Sequence, residues 1–199
     1  MSAAEKLHYT PVEYLEIERA ADNRGEYVDG EVFAMAGGTI NHGVIASNLL
    51  REIGNVLGER PCLAVGSDVK VWIGAANTFT YPDVSGLCGP VDYYDQARDV
   101  YTNPSFIVEV LSDSTETYDR GGKFRRYQTL PSLREYVLVS QNEMAVEIFR
   151  RHEAGWLYSA IQSPEAMLKL DSVDCEIPIA EIYRNVEFPP PPESESQQG

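Results

Sequence analysis

The feature that most constrains the fold of this chain is a glutamate inside an otherwise apolar run. Glu109 lies within Phe106–Leu111, whose other members are all apolar. Such a run, rich in β-branched residues, is typical of a strand buried on both faces in the middle of an α/β sheet. A carboxylate there loses its hydration at a cost of several kcal/mol unless a cation or a hydrogen-bond network receives it. Its position therefore indicates chemistry: a rigid strand can hold a carboxylate for a metal ion or an acid/base step.

Length and composition favour one soluble globular domain. The chain has 199 residues, of which 43% are hydrophobic and 24% charged, enough for a single sizeable core. We expect this domain to span residues 10–187, between a flexible terminus at 1–9 and a disordered tail rich in Pro, Ser and Glu at 188–199. No apolar run is long enough to cross a bilayer, and the first residues lack the apolar stretch of a secretory signal. We therefore expect a cytoplasmic protein without a membrane partner.

The cysteines carry little information. Cys62, Cys88 and Cys175 are odd in number, widely spaced, and form no CxxC pair. This pattern predicts neither a zinc site nor a disulfide framework. It is consistent with the reducing environment of the cytoplasm.

Net charge is the main argument against a nucleic-acid partner. The formal charge is −15 at pH 7 and the pI is about 4.5. A generic nucleic-acid binder needs a basic surface for phosphate contacts. The charge does not exclude a nuclease whose site uses bound cations and a local basic patch.

Local signals predict the first half of the chain. Thr10, followed by proline and then Glu13, is typical of a capped helix start. Asp29-Gly30 between two strand-like runs predicts a β-hairpin. Apolar residues recur at helical spacing from 40 to 57, which predicts the longest helix. Strands are predicted at 62–65 and 68–73, where Asp68 and Lys70 alternate with apolar residues and are expected on a solvated face.

The second half is predicted to alternate in the same way. Residues 89–103 are expected to form a long irregular connection before the strand that carries Glu109. Asp113 to Glu116 is interpreted as a second capping box that begins a helix ending near residue 130. Strands are then expected at 134–139, 145–151 and 156–160, with a short helical turn at 180–183.

Candidate functional residues follow one another along this pattern. Asp83 follows a proline, Glu109 lies on the buried strand, and the next helix carries Asp119, Lys123 and Tyr127 on one face. Two carboxylates from neighbouring strands can hold a divalent cation through hard oxygen ligands. Such a cation polarises a phosphoryl oxygen and activates a bound water, and a lysine can stabilise developing negative charge. The set therefore favours metal-assisted phosphodiester hydrolysis.

Several segments, in order, resemble the Uma2 family (DUF820) of restriction-endonuclease-like proteins in the PD-(D/E)XK nuclease superfamily. The resemblance covers roughly Pro11 to Ala180. It rests on the ordered segments 26–32, with His42, then 81–84, 104–115, the positions Asp119, Lys123 and Tyr127, and 134–139. Each segment alone is weak evidence, whereas the ordered set is specific.

The resemblance implies a fold, a cofactor and roles for individual residues. The implied fold is α/β (α+β), a PD-(D/E)XK core in which a mixed central sheet is flanked by helices. By the motif, Asp83 matches the aspartate of PD and Glu109 the (D/E) position, which makes them the expected ligands of Mg²⁺ or Mn²⁺. Glu26 resembles the N-terminal acidic residue, with Glu31 the less favoured substitute. The usual lysine position holds a leucine, and Lys123 resembles the displaced lysine of this branch.

Some of these residues also have plain structural interpretations. His42, at the start of the long helix, is most simply a structural histidine, although it could help at the border of the site. Tyr127 is more typical of core packing than of catalysis. Asp119 could form only an i,i+4 pair with Lys123, worth about 0.2–0.5 kcal/mol.

Three classes of function remain open from the sequence. The first is a metal-dependent endonuclease acting on nucleic acid, with DNA the favoured substrate and a homodimer the expected assembly. The second is a catalytically inactive PD-(D/E)XK scaffold that serves as an interaction module. The third is a sugar hydrolase that uses Asp83 and Glu109 as acid and base, which would need an aromatic cleft and no metal.

Overall fold

The computed structural model describes residues 8–35 and 37–188. The expectations for the chain ends therefore fall largely outside the described residues, which exclude 1–7 and 189–199. The helices are α1 Pro11–Ala20, α2 Ile40–Leu57, α3 Glu116–Tyr118, α4 Phe124–Tyr127 and α5 Ile179–Ile182. A π-helical turn at Asp119–Lys123 joins α3 to α4, and residues 116–127 together are called the lysine helix below.

The strands form two large mixed sheets and a hairpin. The five-stranded sheet has the order β2 (Glu31–Ala34), β1 (Gly25–Val28), β5 (Thr78–Thr80), β4 (Lys70–Ile73), β7 (Val100–Tyr101). The six-stranded sheet has the order β11 (Gly155–Ile161), β10 (Val146–His152), β9 (Glu135–Ser140), β8 (Phe106–Leu111), β6 (Val84–Cys88), β3 (Cys62–Gly66). The hairpin pairs β12 (Met167–Leu170) with β13 (Cys175–Pro178). These mixed sheets flanked by helices confirm the predicted fold class.

The strand that carries Glu109 is central, as its apolar sequence predicts. β8 runs parallel to β9 and antiparallel to β6, and all six of its residues are buried. Phe106, Val108 and Val110 face the core beneath α2. Because side chains alternate along a strand, Glu109 lies on the opposite face with Ile107, towards the lysine helix.

Local signals at the start of the chain are confirmed. The Thr10 hydroxyl accepts a hydrogen bond from the Glu13 amide at 3.3 Å, and the Glu13 carboxylate accepts one from the Thr10 amide at 2.7 Å. Asp29 and Gly30 have φ values of 48° and 94°, and two successive positive φ angles are those of a type I′ hairpin turn. No helix in the described part of the chain is long and apolar enough to span a membrane.

The predicted capping box at Asp113 is wrong. The helix begins three residues later, at Glu116, and its N-cap makes no side-chain hydrogen bond. Ser112 replaces the expected cap, because its hydroxyl accepts from the Thr115 amide at 3.3 Å. The turn that ends β8 therefore places the capping hydroxyl one residue before the predicted Asp113.

Lys70 does not lie on a solvated face. Its side chain is buried, and the ammonium group is 2.7 Å from a Glu18 carboxylate oxygen and 3.1 Å from one of Asp99. Glu18 comes from α1, and Asp99 precedes β7. Alternation along β4 correctly separates two faces, but α1 covers the face that was expected to meet water.

The expectation that the cysteines form no disulfide is also wrong. Cys62 of β3 lies directly opposite Cys88 of β6 in the antiparallel pair, and their sulfur atoms are bonded. Only Cys175 among the three is a free thiol, and it is buried. Spacing along the chain could not show this pair, because strand register brings the two residues together.

Candidate active site

Asp83 is anchored against the strand that carries Glu109. It immediately precedes β6, and its Oδ2 atom accepts a hydrogen bond from the backbone amide of Val110 at 2.7 Å. β6 pairs with β8 from Val84 opposite Val108. The aspartate that follows Pro82 is therefore held within one residue of Glu109 along the neighbouring strand.

The Glu109 side chain is almost completely enclosed. It is 3% exposed, and its Oε1 atom lies 2.8 Å from Lys123 Nζ and accepts a hydrogen bond from the Tyr127 hydroxyl at 2.9 Å. Burial raises the pKa of Glu109 to about 8, although the Lys123 charge opposes that rise. The glutamate is thus a poorly solvated carboxyl group that a further cation would stabilise in its ionised form.

Lys123 lies between three carboxylates. Its Nζ atom is 2.8 Å from Glu109, 3.5 Å from Glu26 and 3.6 Å from Asp119. Burial alone would lower the pKa of Lys123, but the charges of Glu109 and Glu26 outweigh it and the pKa is raised well above its usual value. The side chain is therefore a permanent cation and cannot serve as a general base at neutral pH.

Glu26 enters the site from the five-stranded sheet. Its Oε1 atom accepts hydrogen bonds from the Thr80 hydroxyl at 2.5 Å and from the Tyr81 amide at 3.2 Å. The Thr80 hydroxyl is in turn 3.3 Å from that of Tyr127. The Thr80 hydroxyl thus donates to Glu26 and the Tyr127 hydroxyl donates to Glu109, and the contact between these two hydroxyl oxygens brings the two sheets together at the site.

The two accessory acidic residues, Glu31 and Asp119, occupy different places in the structure. Glu31 lies on β2 opposite Val28, at the turn end of the hairpin, whereas Glu26 is the carboxylate near Lys123. Asp119 is buried in the lysine helix, and burial raises the pKa of its carboxyl group. Asp119 therefore joins the site, and Glu31 does not occupy the place of Glu26.

His42 borders the site from α2. It lies in the first turn of that helix, and its Nε2 atom is 3.3 Å from Asp83 Oδ2. This contact with Asp83 raises the pKa of His42. The position fits a helper at the rim better than a residue of the core.

The lysine helix reaches Glu109 through its π-helical turn. Asp119 and Lys123 are the ends of this turn, and Gly121 and Gly122 lie between them. A Cβ atom at Gly122 would meet the Tyr118 ring at 3.1 Å. A π turn adds a residue to a helical turn and is often found at functional sites, and here it places both charged side chains towards Glu109.

The donor set suits a hard divalent cation. Mg²⁺ is usually bound through one or two carboxylates, with waters and substrate phosphates completing its shell. Asp83 and Glu109 supply two such carboxylates. No group of three or more His, Cys, Asp or Glu side chains within the described residues forms a complete ligand set. With two protein carboxylates, water and substrate phosphate would have to supply the remaining ligands of such a cation.

Sequence reasoning missed the polar role of two residues. Tyr127 was expected in the core, and it is fully buried, but its hydroxyl donates to Glu109. Thr80 gave no signal at all. The one clue was that Tyr127 follows Lys123 by four residues and shares its helix face.

This chain is similar to known proteins both in sequence and in fold. The family model Uma2, described as "Putative restriction endonuclease", matches residues 11–180. The uncharacterized proteins slr1290 and sll1609 of Synechocystis sp. are 38% and 33% identical to this chain, covering 90% and 80% of it and 93% and 91% of their own lengths. A crystal structure from Anabaena variabilis, described as "a putative nuclease belonging to DUF820", is similar in fold with a TM-score of 0.72. It is 17% identical, and the match covers 88% of this chain and 97% of that one.

The family model and the curated relatives together span nearly all of the described residues, and the structural match shows the same fold. This chain therefore belongs to the Uma2 family.

Proposed function

We propose that this protein is an endonuclease that depends on Mg²⁺ or Mn²⁺ and hydrolyses phosphodiester bonds of nucleic acid, with DNA the favoured substrate. The observation that carries the proposal is the convergence of Asp83, Glu109 and Lys123 from three separate elements. Family membership supports the reaction class. The geometry of the site supports the division of labour among its residues.

Asp83 and Glu109 would hold the metal. When bound there, a divalent cation would polarise a phosphoryl oxygen and lower the pKa of a bound water. The hydrogen bond from Val110 orients Asp83, and the one from Tyr127 orients Glu109. Partners that fix metal ligands in this way typically contribute about 10- to 100-fold in affinity or activity.

Lys123 would act on the scissile phosphate. Because its pKa is raised, it remains an ammonium ion and stabilises the negative charge that develops on the phosphoryl oxygens. Glu26 and Asp119 keep this ammonium group in place. His42, at the rim beside Asp83, is available to a substrate phosphate or a water.

The second candidate is the inactive scaffold. It is favoured by the direct contact of Lys123 with Glu109, which gives the buried carboxyl group a cationic partner without a metal. A permanent internal ion pair of this kind would make the site purely structural. The sugar-hydrolase alternative gains no support, because the Glu109 carboxyl group is buried and already contacts Lys123 and the Tyr127 hydroxyl.

Cleavage of labelled single- and double-stranded oligonucleotides separates these candidates. We expect wild type to cleave with Mg²⁺ or Mn²⁺ and to be inactive in a chelator. The cleavage rate should fall at least about 100-fold in Asp83→Asn and in Lys123→Met, since each change removes a charge acting on the transition state. Lys169→Met is the matched control, because Lys169 is an exposed lysine paired with Glu176. Metal-independent cleavage, or full activity in Lys123→Met, would exclude the proposed roles.

A further inference from the structure

The lysines and arginines of this acidic chain differ in whether a carboxylate lies beside them. Most of the described lysines and arginines lie within 4 Å of a carboxylate. Within residues 8–35 and 37–188, the cations without such a partner are Arg98, Arg125, Arg126, Arg134 and Arg151. In a chain with 31 acidic residues, it is unusual that Arg125, Arg126, Arg134 and Arg151 form no ion pair with a described carboxylate.

Arg125, Arg126 and Arg151 are tied to the lysine helix. Arg125 and Arg126 belong to α4, and the Arg126 guanidinium lies 5.7 Å from the centre of the Tyr118 ring. Arg151 of β10 reaches the end of α4, where its Nη2 atom donates to the carbonyl oxygens of Gln128 and Leu130 at 2.9 and 2.7 Å. These three charges therefore follow Lys123 along one structural unit.

Arg134 and Arg151 line a surface groove of about 690 Å³ together with Trp156. The Arg151 guanidinium lies 4.6 Å from the Trp156 ring, and that ring packs against Phe124 of α4. Burial and the neighbouring Arg134 charge hold the pKa of Arg151 below its usual range. Glu153 also borders the groove, but it forms no ion pair with the described residues. Two adjacent guanidinium groups repel each other, and a bound anion would remove that cost.

We propose that Arg125, Arg126, Arg134 and Arg151, the arginine face, bind the phosphate backbone of the nucleic acid on its way to Lys123. This inference rests on the proposed function and names the surface that substrate occupies. The exposed guanidinium groups of Arg125 and Arg134 match phosphate geometry through paired N–H donors. Arg151 contributes mainly its charge, because its Nε and Nη2 atoms already donate to backbone carbonyl oxygens. Trp156 adds a ring on which an unpaired base can stack. Elsewhere the charge of the chain repels nucleic acid, so the arginine face also sets where the strand can lie.

The test is binding, measured in a chelator so that no cleavage occurs. Fluorescence anisotropy with labelled duplex and single-stranded oligonucleotides gives the dissociation constant as a function of salt. We compare Arg125→Gln and Arg134→Gln with Arg98→Gln, which removes an unpaired arginine that stacks on Tyr93 instead. Arg125 and Arg134 are exposed, so their replacement leaves the core intact.

We expect each variant on the arginine face to weaken duplex binding about fivefold at about 0.15 M salt. A plot of the logarithm of the association constant against the logarithm of salt concentration should become less steep by about 0.9 for each phosphate that the protein no longer neutralises. The steepness should not change in Arg98→Gln. Equal behaviour of all three variants would overturn the inference. So would the absence of nucleic-acid binding together with tight binding of poly-glutamate, because the face would then recognise an acidic polypeptide.

Cleavage by the wild type, assayed separately with Mn²⁺, distinguishes this inference from the proposed function. Binding that depends on Arg125 and Arg134 without any cleavage would support the arginine face and contradict the nuclease. Cleavage unaffected by both replacements would support the nuclease and contradict the arginine face.

Discussion

Glu109 is shared between the fold and the chemistry. Among the described residues its cation is Lys123, which also faces Glu26 and Asp119. One ammonium group cannot fully compensate three buried or half-buried carboxylates. The resulting deficit of positive charge costs stability in the free protein, and the proposed divalent cation would remove that cost.

This deficit makes stability depend on pH. The folded pKa of Glu109 is about 8, against its usual value of 4.5, so the folded state holds a proton that the unfolded state releases between these values. The free energy of unfolding should therefore fall as pH rises from about 4.5 to about 8. Glu109→Gln removes the ionisable group and with it this pH dependence. At pH 8 the free energy of unfolding of the variant should exceed that of wild type by roughly 2–4 kcal/mol, the size expected for a pKa shift of this magnitude after partial relaxation.

Urea unfolding from about pH 5 to about pH 9 in a chelator measures this difference. Glu116→Gln is the control, since Glu116 is an exposed glutamate on the same helix, paired with Arg120. A destabilised Glu109→Gln protein, with a pH profile parallel to wild type, would mean that Glu109 is half of a structural ion pair.

Tyr127 allows a finer test of the site. Tyr127→Phe deletes the hydroxyl that donates to Glu109 while keeping the ring in the core. We expect metal affinity and cleavage to fall about 10- to 100-fold, with a decrease of only about 1 kcal/mol in stability. Tyr101→Phe is matched, because it removes a buried hydroxyl that bonds Ser85 instead. Equal effects of the two changes on metal affinity would exclude a positioning role for Tyr127.

For single residues, the sequence correctly predicted that Glu109 is buried on a central strand, because a charge interrupts an apolar run. The roles of Glu109 and Asp83 as metal ligands stay predictions. Lys70 and Thr80 gave no such sign, because their partners come from α1 and β1, many residues away. Burial of a polar group depends on which element covers it, and alternation along one strand does not contain that information.

Among the elements, β6 is the one on which the site depends most. Gly86 lies between β3 and β8, and a Cβ atom there would come within 2.1 Å of the Leu63 carbonyl oxygen and 2.8 Å of the Phe106 ring. We expect Gly86→Ala to lower the free energy of unfolding by about 3 kcal/mol, since neither strand can move away. Thermal or urea unfolding gives this value directly.

Gly54→Ala provides the matched control for that change. Gly54 lies inside α2, where a Cβ atom would meet no described atom outside its own helix within 4 Å. The replacement should stabilise the protein by about 0.5–1 kcal/mol, as expected for alanine in a helix. Similar destabilisation by both changes would show that the strands around Gly86 are not packed as described.

The cysteine pair stabilises the outer edge of the same sheet. Cys62 and Cys88 are separated by 26 residues and link β3 to β6. Closing a loop of this length should contribute about 3–4 kcal/mol through the entropy of the unfolded chain. Reductant should therefore lower the unfolding midpoint of wild type but leave the doubly substituted Cys62→Ser, Cys88→Ser protein unchanged. An unchanged midpoint in wild type would show that the thiols are not joined in solution.

Elements with strong local signals were predictable, and those defined by tertiary contacts were not. α2 and the Asp29-Gly30 hairpin follow from periodicity and turn chemistry. The π turn at Asp119–Lys123 could not be predicted in this way. Two adjacent glycines in a helix usually indicate low helix propensity and do not indicate a different helical geometry. The hairpin of β12 and β13 and the short strand β7 were also missed, since each is too short to show a period.

For the whole molecule, a net charge of −15 argued against a nucleic-acid partner, and the proposed arginine face is a local group of positive charges that the sequence did not reveal. The mixed fold class was predictable because the ordered motifs resemble a known family. The division into two large sheets was not, because it depends on pairings between distant segments such as β4 with β7. The site lies where the two sheets meet, with Glu26 from one and Glu109 from the other.

The central claim is that Asp83 and Glu109 bind a divalent cation, and calorimetric titration with Mn²⁺ and Mg²⁺ tests it most directly. The comparison includes wild type, Glu109→Gln and the control Glu135→Gln, which replaces another buried glutamate whose partners are the backbone amides of Asp171 and Ser172. An uncleavable phosphorothioate oligonucleotide is added in a second series, because substrate phosphate can complete the shell of the metal.

We expect wild type and Glu135→Gln to bind one cation, more tightly with the oligonucleotide, and Glu109→Gln to bind none. Binding that survives in Glu109→Gln, or its absence from wild type even with the oligonucleotide present, would contradict a metal centre at Asp83 and Glu109.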